Sequence, residues 1–278
     1  MRKLVRSQTV ARLKKLNREV RQVAHKPADA DAIHDLRVSI RRLRQELNVF
    51  EAWFKPGPLK RIRGNLKKLM ERCGAVRNCD IAVEVLRAAR WRKRELSEGL
   101  ENERQHTGKE LAHTIAGWLQ RGKIHSWREH LRIIQPQAKE DRGGSVAEHA
   151  KRLLPPLIED FFRAGREAAR PGSTHHRMHR LRLEAKRVRY TLELFEPVYG
   201  ENAKQILEPL KKLQDQLGAI NDCAATLEMV RGNKDAAAAV QGLADKREAA
   251  FREYWGKHFG SAKRAEWKAV LSAADGKK

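Results

Sequence analysis

Apolar positions recur at helical spacing from the first residues of the chain. Leu4, Val5, Leu13, Leu16, Val20 and Val23 share one face of a predicted helix that ends at Lys26-Pro27, where proline removes an amide donor and crowds the preceding turn. Asp29 or Asp31 can cap a second helix with the apolar seam Ile33, Leu36, Ile40, Leu43, Leu47 and Phe50, which stops before Lys55-Pro56-Gly57-Pro58. A third is predicted over Leu59 to Cys73, with Gly74 as its stop, and a fourth from near Asn78 to Trp118 with short interruptions. Consecutive helices with tight connections predict an up-and-down bundle.

Residues 121–144 change character. Gly122, Pro136, Gly143 and Gly144 interrupt the period, and the stretch reads as a linker. The pattern then returns over 145–169, closed by Pro171-Gly172, over 174–198, closed by Gly200, and over 201–217, closed by Gly218. A further segment runs from 221 to 255 with a break at Arg231-Gly232-Asn233, and 261–273 suits a short final helix. Strand alternation is absent. The expectation is an all-α chain of two four-helix bundles, residues 1–120 and 145–278, joined by 121–144.

The two halves share a motif. Sliding the chain by 145 positions lays His34 on His179, Arg37 on Arg182, Arg41 on Lys186, Arg42 on Arg187, Arg44 on Arg189, Leu47 on Leu192 and Phe50 on Phe195 without a gap. A second match, at an offset of 144, brings Leu66-Lys67-Lys68-Leu69 and Gly74 onto Leu210-Lys211-Lys212-Leu213 and Gly218. The same order of motif helix, Lys-Lys helix and glycine predicts bundles related by an approximate two-fold axis, with His34 and His179 lining one cleft.

On a helical wheel His34, Arg37, Arg41, Arg44 and Asn48 form a stripe immediately beside the apolar seam. An ordinary solvated face lies opposite the seam. Cations at its shoulder are half buried and call for an anion, and His34 to Arg44 span about 15 Å of axis, a length that suits a row of phosphates. Arginine offers phosphate a planar two-donor fork and lysine a mobile point charge, a mixture fitted to a flexible linear polyanion. One lysine of each Lys-Lys pair can turn toward such a site.

The pattern H-x-x-R-x-x-x-R-R-x-R at His34 and H-x-x-R-x-x-x-K-R-x-R-Y at His179 resembles the CHAD domain, the conserved-histidine α-helical domain, over essentially the whole chain. The resemblance implies paired four-helix bundles that bind inorganic polyphosphate through basic residues in the cleft between them, with some members sitting on polyphosphate granules. The binding residues expected here are His34, Arg37, Arg41, Arg42, Arg44, Lys67 and Lys68, and in the second copy His179, Arg182, Lys186, Arg187, Arg189, Lys211 and Lys212.

Composition agrees with an anionic partner without choosing it. The 278 residues hold 59 Lys and Arg against 35 Asp and Glu, a net charge of +24. Nucleic acid is the alternative, weakened by an aromatic content of 6% that leaves little for base stacking. Cys73, Cys79 and Cys223 have neither paired nor C-x-x-C spacing and read as free thiols in a reducing compartment. No apolar run approaches the roughly 20 residues of a membrane span, and the N-terminus lacks a signal-peptide core, so a cytoplasmic protein is expected.

No phosphate-cradling G-x-x-x-x-G-K-[ST], acidic magnesium cluster or nucleophile elbow occurs, which predicts a holder of phosphate without catalysis, metal or cofactor. His175-His176 follows Pro171-Gly172 at a helix start and reads as a surface pair near the cap. Arg77 is matched by Asn221 in the second copy, so any anion-binding role for Arg77 is not symmetrical.

Overall fold

A computed structural model describes residues 1–134, 136 and 145–272. The chain divides into two compact units, Met1–Glu84 with Arg92–Gly143 and Val85–Trp91 with Gly144–Lys278. Among the described residues every regular element is helical, apart from one isolated bridge between Phe54 and Ile133.

The first unit is built on α1 (Arg2–His25), α2 (Ala30–Val49), α3 (Pro56–Ala88, whose last residues from Val85 belong to the second unit), α4 (Arg94–Gln120) and α5 (Lys123–His130). Asp29 starts α2, its carboxylate accepting the amides of Asp31 and Ala32 at 2.9 and 3.1 Å. The seam read from the sequence is the core face of α2: Ile33, Leu36, Ile40, Leu43 and Leu47 are fully buried and Phe50 is 2% exposed. It packs on α1, where Val5, Leu16, Val20 and Val23 are also fully buried.

Gly74 does not end the third helix. Leu59, Ile62, Leu66, Leu69, Cys73, Val76 and Cys79 continue one buried seam across it, and the glycine keeps a right-handed backbone, so nothing turns the chain out. Gly218 is passed in the same way. Of the expected linker, Lys123–His130 is a helix packed on α1 and α4, held by the edge-to-face contact of Trp127 with Trp118 at 5.2 Å. The residues from 137 to 144 lie outside the described part.

The second unit contains α6 (Val146–Ala168), α7 (His175–Leu194), the short α8 (Glu196–Tyr199), α9 (Asn202–Val230), α10 (Lys234–His258) and α11 (Ser261–Ser272). Ser145 and Glu148 close a reciprocal capping box on α6. Its core end is aromatic: Phe161, Phe162, Trp255, Phe259 and Trp267 pack ring on ring. Gly165 makes room for this cluster, since a Cβ there would stand 1.7 Å from the Trp255 ring. Gly172 and Gly200, with φ of +69° and +52°, turn the chain before α7 and after α8.

Candidate functional site

The cations of α2 sit where helical geometry puts them. Arg37, Arg41, Arg42 and Arg44 are half-buried beside the seam, while His34 is exposed. Arg37 reaches across to α3: its Nη1 lies 3.1 Å from the place a Cβ on Gly74 would occupy, so the glycine provides the close approach that a side chain would obstruct. Burial pushes the neighbouring Cys73 thiol up to about 12, with Arg37 acting against it. That thiol is therefore a packed, unreactive group rather than a nucleophile.

His34 stands among positive charges. Partial burial lowers its pKa, Arg41, Arg77 and Arg37 lower it further, and Asp35 works in the opposite sense. Arg77 comes from α3, where it faces Glu84 at 3.2 Å and Asp80 at 3.8 Å. It belongs to the surroundings of His34 although matching the two copies gave it no basic counterpart.

In the second unit Met178, Leu181, Ala185, Val188, Leu192 and Phe195 form the buried seam of α7, each at most 1% exposed. His179, Arg182, Lys186 and Arg189 are half-buried along its shoulder, and Arg187 is exposed with Glu184 at 3.8 Å. Asn221 Oδ1 of α9 lies 2.9 Å from His179 Nδ1. Nδ1 donates to that oxygen, which fixes the orientation of the ring. Arg189 is part of the frame: it donates to Glu193 at 3.0 Å and to Gln214 at 3.1 Å, and the Gln214 amide donates to the Ala185 carbonyl at 2.8 Å, bracing α7 against α9.

The Lys-Lys pairs are all exposed. Lys67 has Glu71 at 3.9 Å, whereas burial lowers the pKa of Lys123 of α5 and Arg121 and then Lys68 add to it. Lys123 itself rests 4.9 Å over the Trp118 ring. Lys68 thus stands near the α4–α5 corner. Among the described residues no group of three His, Cys, Asp or Glu could hold a metal, and no helix is long and apolar enough to cross a membrane.

These features describe a class: an all-helical protein whose two motif helices each carry a row of cations at the edge of a buried seam. The CHAD domain matches residues 8–231, and the chain belongs to that family. The fold is similar to the crystal structure of the CHAD domain from the plant Ricinus communis, with a TM-score of 0.65 and 22% identity over 98% of this chain and 92% of that one. It is also similar to PptA from Streptomyces chartreusis, with a TM-score of 0.53 and 14% identity over 97% and 98% of the two chains. No curated protein matches the sequence significantly.

Proposed function

We propose that the chain binds inorganic polyphosphate without transforming it, using the shoulder stripes of α2 and α7 as its contacts. The observation that carries this reading is the half-burial of Arg37, Arg41, Arg182 and Lys186 beside fully buried seams. A cation on the open face of a helix is neutralised by water and salt, while one held at the rim of a core gains more from an anion that replaces its lost hydration. Membership of the CHAD family, whose resemblance implies polyphosphate binding, supports that choice of anion. A linear chain of phosphates suits repeated contacts along one helix face, and association with polyphosphate granules follows wherever a cell makes them.

The test is positional. Replacing Arg37, Arg41, Arg182 and Lys186 with alanine removes four charges from the stripes, and replacing the exposed Arg92, Lys93, Arg94 and Lys109 removes four from elsewhere. Each lost charge-assisted contact is worth roughly 1.5–3 kcal/mol, so the first variant loses most of its affinity for long polyphosphate and the second little. Equal losses would reduce the protein to a non-specific polycation. Duplex DNA competing as well as polyphosphate at equal phosphate concentration would favour nucleic acid instead. Affinity for long chains falls steeply with salt because counterions are released on binding. Circular dichroism on the same samples checks the fold.

A further inference from the structure

The cation row of α7 begins one turn earlier than the repeat requires. His175, His179, Arg182 and Lys186 follow one another at steps of four, three and four residues, the spacing that keeps side chains on one helix face. The matching turn of α2 carries Ala30. His175 is exposed, and its ring centre is 6.2 Å from that of His179.

We propose that His175 is a further phosphate-binding residue of the second unit, lengthening its cation row by one helical turn toward the start of α7. The inference rests on the polyphosphate reading above. Four residues add about 6 Å of contact along the axis.

The electrostatics of the turn support the assignment. Burial of part of the ring lowers the pKa of His175, and His179, His176 and Arg182 of α7 add to the effect against Glu248 of α10. On the other helices packed against α7, Asn221 of α9 bonds His179 and Glu167 of α6 pairs with Arg180 at 3.3 Å, so neither is engaged with His175. A phosphate chain laid along the row reverses the sign of the local field, and the imidazole takes up a proton as the anion binds. The helix start acts in the same sense: Thr174 offers no side-chain cap and the first turn holds no acidic residue, which leaves its amides favourable to negative charge.

The experiment measures binding of long polyphosphate by the full chain at pH about 6 and about 8, on either side of the ordinary imidazole titration. His175→Gln is expected to lose about fivefold in affinity at the lower pH and little at the higher, the scale of an exposed charge contact. His176→Gln, one position off the row, stays at the wild-type value. His175→Lys restores the affinity at the lower pH and holds it at the higher. Should His175→Gln lose its thermal melt, His175→Lys decides, because wild-type pH dependence in that variant overturns the proposal. If His175→Gln binds as the wild type does at both pH values while Arg182→Ala/Lys186→Ala binds weakly, the role of His175 is overturned and the polyphosphate reading stands. If the double variant also binds as the wild type does, the reading beneath it falls.

Discussion

His34 and His179 occupy the same place in the repeat and keep different company. Partial burial holds the His34 ring toward the neutral form, and Arg41 and Arg37 on its own helix and Arg77 arriving from α3 add to it. At the place corresponding to Arg77, α9 carries Asn221, which bonds His179 Nδ1 and adds no charge. The difference rests on the residue that faces the imidazole. One unit concentrates fixed charge around its histidine; the other orients the ring and sets a second imidazole one turn away. The seams that fold the helices are alike, and the shoulder beside them is where the two helices diverge.

The largest effect that can break this comparison comes from removing two cations in one unit at a time. Arg37→Ala/Arg41→Ala and Arg182→Ala/Lys186→Ala should each lower affinity for long polyphosphate by about ten- to a hundredfold, with the arginine pair costing more because a lysine supplies no bidentate fork. Isothermal titration at fixed salt measures both. A silent double in either unit would leave a single binding stripe and make the other a relic of the repeat.

A second contrast lies inside the seams. Glu46 of α2 is fully buried, accepts the Thr9 hydroxyl at 2.6 Å and has Arg12 at 3.7 Å, while the matching position of α7 is the fully buried Thr191. Burial raises the Glu46 pKa to about 7, with the Thr9 hydrogen bond and Arg12 acting against it. A carboxyl whose folded pKa is raised favours the fold while it is protonated. That advantage shrinks as pH climbs from the unfolded carboxylate value toward 7 and is lost above it. Glu46→Gln should therefore gain about 2–3 kcal/mol over the wild type between pH about 5 and about 8, read as the difference between their urea midpoints at each pH. Parallel curves for the two proteins would mean that Glu46 does not titrate in this range.

What could be read in the sequence, and what could not, divides along physical lines. The six seam positions of α2, the stop before Pro27 and the break at Arg231-Gly232-Asn233 depend on local period and local backbone chemistry, and all appear as expected. Gly74 and Gly218 misled because a glycine ends a helix only when the chain turns left-handed there, and a continuing seam prevents that. Lys123–His130 has few apolar residues of its own and folds against Trp118, a tertiary contact that spacing cannot reveal. Superposing the copies gave weight to matched positions. It could not show that Arg77 stands beside His34, that His175 lies one turn from His179, or that Arg189 also donates to Glu193 and Gln214.

The smallest effect sharpens the comparison most. Arg77→Asn gives the first unit the residue type that faces His179, removing one cation from the surroundings of His34 while Asp80 keeps Arg104. The His34 pKa should rise, since Arg77 is one of the charges that lower it, and the proton NMR titration of that ring follows the change directly. Binding should weaken by about two- to fivefold at pH about 8, where the ring stays neutral and the lost charge is not replaced. At pH about 6 the loss should shrink, because the variant's more basic imidazole carries a proton where the wild type relied on Arg77. An unmoved His34 titration would show that Arg77 is spent on Glu84 and Asp80. A loss of affinity equal at the two pH values would show that His34 takes no share of the anion, leaving the arginines of α2 as the first unit's contacts.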